Sequence, residues 1–234
     1  MKLLLLSNGT IPGENLLAYG KEAVRSLLCN SEKKLLFIPF AAVRFSFDQY
    51  HLRVRERFEA WGYTLDSLHF YKPGDMAGAV EAADGIVTGG GNTFQLLGFL
   101  RQYGLLDIIR KAVQAGIPYI GWSAGSNICC PNIGTTNDMP IVDPEGFDAL
   151  GLVPFQINPH YTDRTISGHG GESRDDRINE FTIANPGMPV IGLREGSWIE
   201  YAGDSFRLGG MHAARIFVSG ENPREVEPGE EIAL

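Results

Sequence analysis

Cysteine is scarce in this chain: there are three in 234 residues, Cys29, Cys129 and Cys130, two of them adjacent. An odd number in that pattern makes neither a disulfide framework nor a zinc-type quartet. A fold without disulfides suits a reducing compartment, so a cytoplasmic location is expected. Long hydrophobic runs are also missing. The apolar stretch Leu3–Leu6 stops at Ser7-Asn8-Gly9. A signal peptide needs a longer apolar core and a small-residue cleavage site, and a membrane span needs about 20 apolar residues. Positive charge is in deficit, with 20 Lys and Arg against 28 Asp and Glu, a formal net charge of −8. Such a surface argues against nucleic acid or an anionic membrane as partner, while leaving room for a local basic pocket. There is no HExxH motif, and the five histidines are scattered, so neither a metal nor an organic cofactor is expected. No linker, low-complexity tract or internal repeat divides the chain, and residues 1–234 read as one domain.

What is present is an alternation of short apolar runs with helical patterns. Lys2–Leu6, Lys34–Phe40, Thr64–Leu68, Gly85–Thr88 and Ile117–Gly121 read as strands. Between them Glu14–Leu28, Phe47–Trp61, Asn92–Leu100 and Leu105–Ala115 carry apolar residues at helical spacing, and a helix is expected from Ala124 onward. This order predicts an α/β fold with a mostly parallel sheet covered by helices on both faces, with ligands at the carboxyl ends of the strands. Beyond residue 130 the pattern changes. Pro131–Pro154 reads as loop, Ser173–Ala184 as a helix, and Val190–Arg194, Ser197–Tyr201, Ser205–Leu208 and Ala214–Val218 as short strands, some in hairpins.

Two strand-to-helix turns carry chemistry. Gly121-Trp122-Ser123-Ala124-Gly125 fits G-x-S-x-G, in which the serine sits on a sharp turn and the small flanking residues let strand and helix nearly touch. Thr88-Gly89-Gly90-Gly91-Asn92-Thr93 is the second. It is neither a Walker A loop nor a dinucleotide fingerprint. Its glycines leave N–H groups free, so Gly91 and Ala124 are the expected oxyanion-hole donors, while Asn92 can cap the helix and face the substrate.

Among the histidines, His51 lies within an amphipathic helix, His69 follows an edge strand, and His212 falls in a turn. His169 lies in Ser167-Gly168-His169-Gly170-Gly171, similar to a lipase HGGG motif but placed after the serine instead of before it. His160 ends the strand-like run Phe155–His160 behind Pro159, which suits a base whose ring must be held. A base of this kind needs a carboxylate on its other nitrogen. Glu195 follows a buried-looking strand and Asp138 lies in the loop Thr135–Pro140; spacing does not choose between them.

Taken together, Thr88–Leu97, Gly121–Leu152, Gln156–Thr162, Gly168–Ile178 and Gly192–Ile199 resemble the S51 family of serine peptidases, to which α-aspartyl dipeptidases belong. The order and spacing hold over nearly the whole chain. The resemblance implies a three-layer sandwich like that of the class I glutamine amidotransferases, flavodoxin-like, with short carboxyl-terminal strands. It implies Ser123 as nucleophile, His160 as base and a third member at Asp138 or Glu195. Glu195 is preferred because a strand end holds a side chain more rigidly than a loop. It further implies a dipeptide with amino-terminal aspartate as substrate, with Arg174 as the fork for its β-carboxylate and Arg164 and Arg177 as lesser candidates. Arg194 and Ser197 depart from the Pro and Asn frequent in that family beside the glutamate. Expected partners are a small peptide and at most a second copy of the chain, as monomer or homodimer. The alternatives are a cyanophycinase-like or other amide hydrolase, and a non-catalytic binding protein on the same fold.

Overall fold

The computed structural model describes residues 1–29, 33–164, 170–203 and 205–234; His169 lies outside them. The first half is built of β1 (Lys2–Leu6), α1 (Lys21–Leu27), β2 (Lys34–Ile38), α2 (Phe47–Glu59), β3 (Thr64–Ser67), α3 (Met76–Glu81), β4 (Gly85–Thr88), α4 (Thr93–Gln102), α5 (Leu106–Gln114), β5 (Tyr119–Trp122) and α6 (Ala124–Asn127). The second half follows with β6 (Gln156–Tyr161), α7 (Arg174–Ala184), β7 (Val190–Arg194), β8 (Ser197–Ala202), β9 (Phe206–Gly210), β10 (Ala214–Phe217) and β11 (Arg224–Val226).

Among the described residues the main sheet has the order β3-β2-β4-β5-β1-β8-β9. The strands from β3 to β1 are parallel, and the hairpin β8–β9 closes the edge antiparallel. Continuous apolar runs become two-faced here because successive side chains of a strand point to opposite sides. Leu4, Leu6, Leu35 and Phe37 pack under α1 and α2 with Val24, Val54 and Phe58. Leu3, Leu5, Leu36 and Ile38 pack on the other face with Val80 of α3, Leu97 of α4 and Ile109 of α5. The sandwich of helix, sheet and helix is therefore the one expected.

A second sheet, β11-β10-β7-β6, extends that second core. Ile157, Ile191, Leu193 and Ile216 face the main sheet, while Tyr161, Val190 and Phe217 are covered by Ile178 of α7. The strands expected to form hairpins are thus divided between two sheets. β7 and β8 are separated only by Glu195-Gly196, yet β7 pairs with β6 and β10, and β8 with β1 and β9. A turn this short, with Gly196 at φ 81°, carries the chain from one sheet to the other.

Two expectations change, and one helix has no counterpart in the sequence reading. The helix anticipated over Glu14–Leu28 begins only at Lys21, because Leu17 takes a left-handed conformation (φ 55°) and ties its N–H to Gly9 O at 2.7 Å. The helix after Ser123 is a single turn: the carbonyls of Ile128, Cys129 and Cys130 accept hydrogen bonds from the Leu150–Leu152 segment in place of a fifth helical residue. Helix α3, too short for a clear period in sequence, is held by burial of Met76 and Val80 one turn apart.

The carboxyl end of β1 joins the two sheets. Ser7 is fully buried. Its Oγ donates to Leu193 O (2.7 Å) on β7 and accepts from the His160 N–H (2.9 Å) on β6. Beside it Asn8 Oδ1 accepts from Gly196 N (2.9 Å) and from the Tyr19 hydroxyl (3.0 Å). Replacing the hydroxyl leaves one buried donor and one buried acceptor unpaired, which typically costs about 1–3 kcal/mol. Ser7→Ala is therefore expected to lower the urea midpoint of unfolding by a corresponding amount with an unchanged slope.

Candidate active site

Ser123 sits between the end of β5 and the single turn α6 with φ 53° and ψ −114°, a conformation that L residues avoid. The neighbouring glycines make this turn possible. A Cβ on Gly121 would stand 2.2 Å from Gly125 O, and one on Gly125 would stand 2.2 Å from Thr88 O. Strand, turn and helix are in backbone contact, so the serine is pushed outward. Its N–H donates to Leu6 O at 3.1 Å, and its carbonyl accepts from Ser126 and Asn127 (both 2.9 Å), which locks the turn.

His160 has a positive φ as well, 54°. The ladder between β6 and β7 slips there: Pro159 pairs with Leu193 and Tyr161 with Arg194, leaving His160 as the extra residue of a bulge. A bulge re-aims one side chain, and here it lifts the imidazole off the sheet. His160 Nε2 lies 2.9 Å from Ser123 Oγ, and Nδ1 lies 2.6 Å from Glu195 Oε1. A carboxylate only accepts, so Nδ1 carries the proton and Nε2 is left as the acceptor facing the serine hydroxyl. Glu195 occupies the crossing from β7 to β8, so both sheets hold it.

Asp138, the other carboxylate considered, is occupied elsewhere. Its Oδ2 accepts from Thr93 N (2.7 Å), Thr93 Oγ1 (2.6 Å) and Thr136 Oγ1 (3.1 Å), at the amino end of α4 where a negative charge is favoured. Its neighbour Asn137 does reach the histidine strand, donating to Pro159 O at 2.6 Å. Asn92, expected to face the substrate, is a cap: Oδ1 accepts from Gln95 N (3.0 Å) and Nδ2 donates to Met139 O (2.8 Å). It is not among the residues that line the cavity at Ser123.

Gly91 does line that cavity. Its φ is +142°, and a Cβ there would fall 2.1 Å from Ala41 O. The glycine loop is pinned on both sides, by Tyr50 Oη donating to Gly90 O (3.0 Å) and by Asn92 N donating to Ala41 O (2.8 Å). Among the described residues the N–H groups of Gly91 and Ala124 donate to no protein acceptor. Tyr50, Ser7 and Asn8 escape a sequence reading, because an interior helical tyrosine and a Ser-Asn turn carry no motif.

Arg174 opens α7, whose first turn is tied to β6 by the Tyr161 hydroxyl on Asp175. It is half buried and makes no salt bridge among the described residues. Burial, then repulsion from Arg177, lowers its pKa. The neighbouring acids are engaged otherwise: Asp175 with Arg215 (3.3 Å), and Asp176 with the Ser173 cap. Arg177 lies 3.7 Å from Glu172. Arg164 is exposed. Arg194 is saturated by Glu225 (2.7 Å) and Asp163 (3.1 Å), the bond to Glu225 foremost in raising its pKa. It therefore anchors the strand end that carries Glu195. His51 and His69 are likewise structural, bonded to Leu65 O (3.1 Å) and to Ser67 and Asp48 (2.7 and 3.1 Å).

Residues 3–209 match the model of Peptidase family S51. A Peptidase E from Nostoc sp. is 45% identical over 231 residues, covering 99% of this chain and 95% of the relative. A Peptidase E from Salmonella typhimurium is 45% identical over 229 residues, 98% of this chain and 99% of the relative. In crystal structures the same fold recurs in a peptidase from an acI-B1 actinobacterium, with a TM-score of 0.74 at 21% identity over 100% of this chain and 96% of that one. It recurs again in a protein from Listeria monocytogenes, with a TM-score of 0.68 at 23% identity, covering 90% and 98%. Among the described residues no helix is long and apolar enough to cross a membrane. On the family match and these near full-length relatives, the chain belongs to peptidase family S51 and is a serine-type peptidase.

Proposed function

We propose that the protein is a dipeptidase that removes an amino-terminal aspartate, with Ser123 as nucleophile, His160 as general base and Glu195 as the acid behind it. The observation that carries this reading is the unbroken line Ser123 Oγ to His160 to Glu195, at 2.9 and 2.6 Å. In the proposed reaction Oγ attacks the peptide carbonyl as its proton passes to His160 Nε2. The oxyanion accepts from the N–H groups of Gly91 and Ala124. The imidazolium, stabilised by Glu195, then protonates the leaving amine as the C–N bond breaks. Water, deprotonated by His160, releases aspartate from the acyl-enzyme. Each of these steps uses only groups of the chain, the peptide and water.

Preference for aspartate is assigned to Arg174. A half-buried guanidinium with no carboxylate partner among the described residues gains most from an incoming carboxylate, and its fork suits one. The name Peptidase E of the relatives and the resemblance to α-aspartyl dipeptidases support the same choice. The location proposed is the cytoplasm, where small peptides arise from protein turnover.

A panel of X-Leu dipeptides varied at the first residue is the direct test, and Asp-Leu is expected to be cleaved best. Preference for β-linked aspartyl peptides would instead indicate a cyanophycinase-like hydrolase. Ser123→Ala is expected to lower kcat by about four orders of magnitude or more without loss of fold. Glu195→Gln should cost about 10⁴ in kcat. Asp138→Asn should chiefly cost stability, about 1–2 kcal/mol, with kcat within a few-fold; the reverse outcome would assign the acid to Asp138. Arg174→Met is expected to reduce the preference for Asp-Leu over Ala-Leu by about ten- to a hundredfold, and an unchanged ratio would remove Arg174 from substrate recognition.

A further inference from the structure

Ser123 and His160 open into a cavity of about 470 Å³, bounded on one side by the glycine loop and on the other by α2. Helix α2 contributes two arginines to its wall, Arg53 and Arg57. They stand four residues apart and so share one face of the helix. Two like charges in that relation weaken a helix unless something answers them. Within the described residues neither forms a salt bridge. Their neighbour Arg55, on another face, turns instead to Glu59 at 3.5 Å. The Arg53 guanidinium is stacked 5.0 Å above the Phe45 ring, which also lines the cavity. Arg57 Nε is buried and has no hydrogen-bond partner among the described residues. Among the described residues no aspartate or glutamate lines this cavity, in a chain whose net charge is −8. The catalytic serine of an acidic protein therefore faces a compartment whose described lining carries two positive charges and no negative one.

An aspartyl dipeptide is charged differently at its two ends. The first residue bears an ammonium close to its β-carboxylate, whereas the second residue bears only the α-carboxylate. A compartment with two guanidiniums and no acid in its described lining gains little from the first end, whose two charges cancel, and attracts the second. The cavity on the other flank of His160 has a mixed lining, with Asp163 and Glu195 beside Arg164 and Arg194. We infer that Arg53 and Arg57 hold the α-carboxylate of the leaving residue, and that Phe45, Leu16 and Trp122, in the same cavity, receive its side chain. The inference rests on the dipeptidase reading of this site and deepens it. The enzyme measures its substrate from the carboxyl end: a free carboxylate one residue beyond the scissile bond is a binding determinant, and longer peptides or amides forfeit it.

The test compares Asp-Leu with Asp-Leu amide, which differ only in that charge. The wild-type protein is expected to favour the free acid by about ten- to a hundredfold in kcat/KM, chiefly through KM. In Arg53→Met and Arg57→Met the ratio of acid to amide should fall severalfold, and in the double variant it should approach one. Methionine keeps much of the length and apolar stem of arginine, and a near-UV spectrum like that of the wild type checks the fold. An undiminished ratio in the double variant overturns the inference, as does an equal loss on acid and amide. Should the dipeptide panel favour a first residue other than aspartate, the same pair is made with that residue, so the aspartate assignment can fail while this one stands. Binding of Asp-Leu and of its amide to Ser123→Ala, measured by calorimetry, gives the same ratio without turnover, and equal affinities would also overturn it.

Discussion

The Ser7 hydroxyl, buried at the end of β1, fixes the relation between the two sheets and through it the geometry of the site. It accepts from the backbone N–H of His160 and donates to the carbonyl of Leu193. One hydroxyl thus holds the bulge that projects the imidazole and the strand that leads into Glu195. Asn8, the next residue, takes the N–H of Gly196 and so fixes the crossing where Glu195 stands. The strand that supplies both residues is also the parallel partner of β5, which delivers Ser123, and Leu6 O accepts the Ser123 N–H. All three members of the line from serine to glutamate are referred to the same three-residue stretch, Leu6 to Asn8. This is why groups distant in the chain meet at hydrogen-bond range.

Two of those members are held with φ near +55°, Ser123 at 53° and His160 at 54°. For residues with a side chain this conformation typically costs about 1–3 kcal/mol each. The surroundings over-determine both: the Gly121–Gly125–Thr88 contact forces the serine turn, and the bonds to Ser7 and the Pro159–Leu193 pairing force the histidine bulge. Ser123 Oγ and the His160 imidazole are therefore placed by backbone geometry, the form of preorganisation on which the proposed mechanism draws.

Charge is distributed in the same spirit. Most cations near the site are neutralised: Arg194 by Glu225 and Asp163, Arg215 by Asp175, and Arg177 by Glu172. Arg174, Arg53 and Arg57 form no salt bridge within the described residues. In an acidic protein an unanswered guanidinium next to a cavity is a standing attraction for an anion, and Arg53 and Arg57 of α2 line the cavity at Ser123 and His160.

Much of this was legible in the sequence. The strands Lys2–Leu6, Gly85–Thr88 and Val190–Arg194 coincide with their sequence expectations, because buried parallel strands announce themselves as short apolar runs bounded by turns. The glycine spacing around Ser123 and the triple glycine at 89–91 mark their turns because only residues without bulk fit there. What the sequence left open was decided by contacts without a local signature. Glu195 and Asp138 are both carboxylates near turns, and in sequence only the rigidity of a strand end favours Glu195; it is the crossing between two sheets that brings Glu195 to His160 Nδ1, while Asp138 is drawn to the amino end of α4. The tie made by Ser7 and the facing of Arg53 and Arg57 toward the serine belong to the same class. Local pattern determines which segments become strands, helices and tight turns, since that depends on side-chain period and backbone freedom. Which polar groups meet depends on packing between segments 35 to 186 residues apart, and tertiary structure alone decides it.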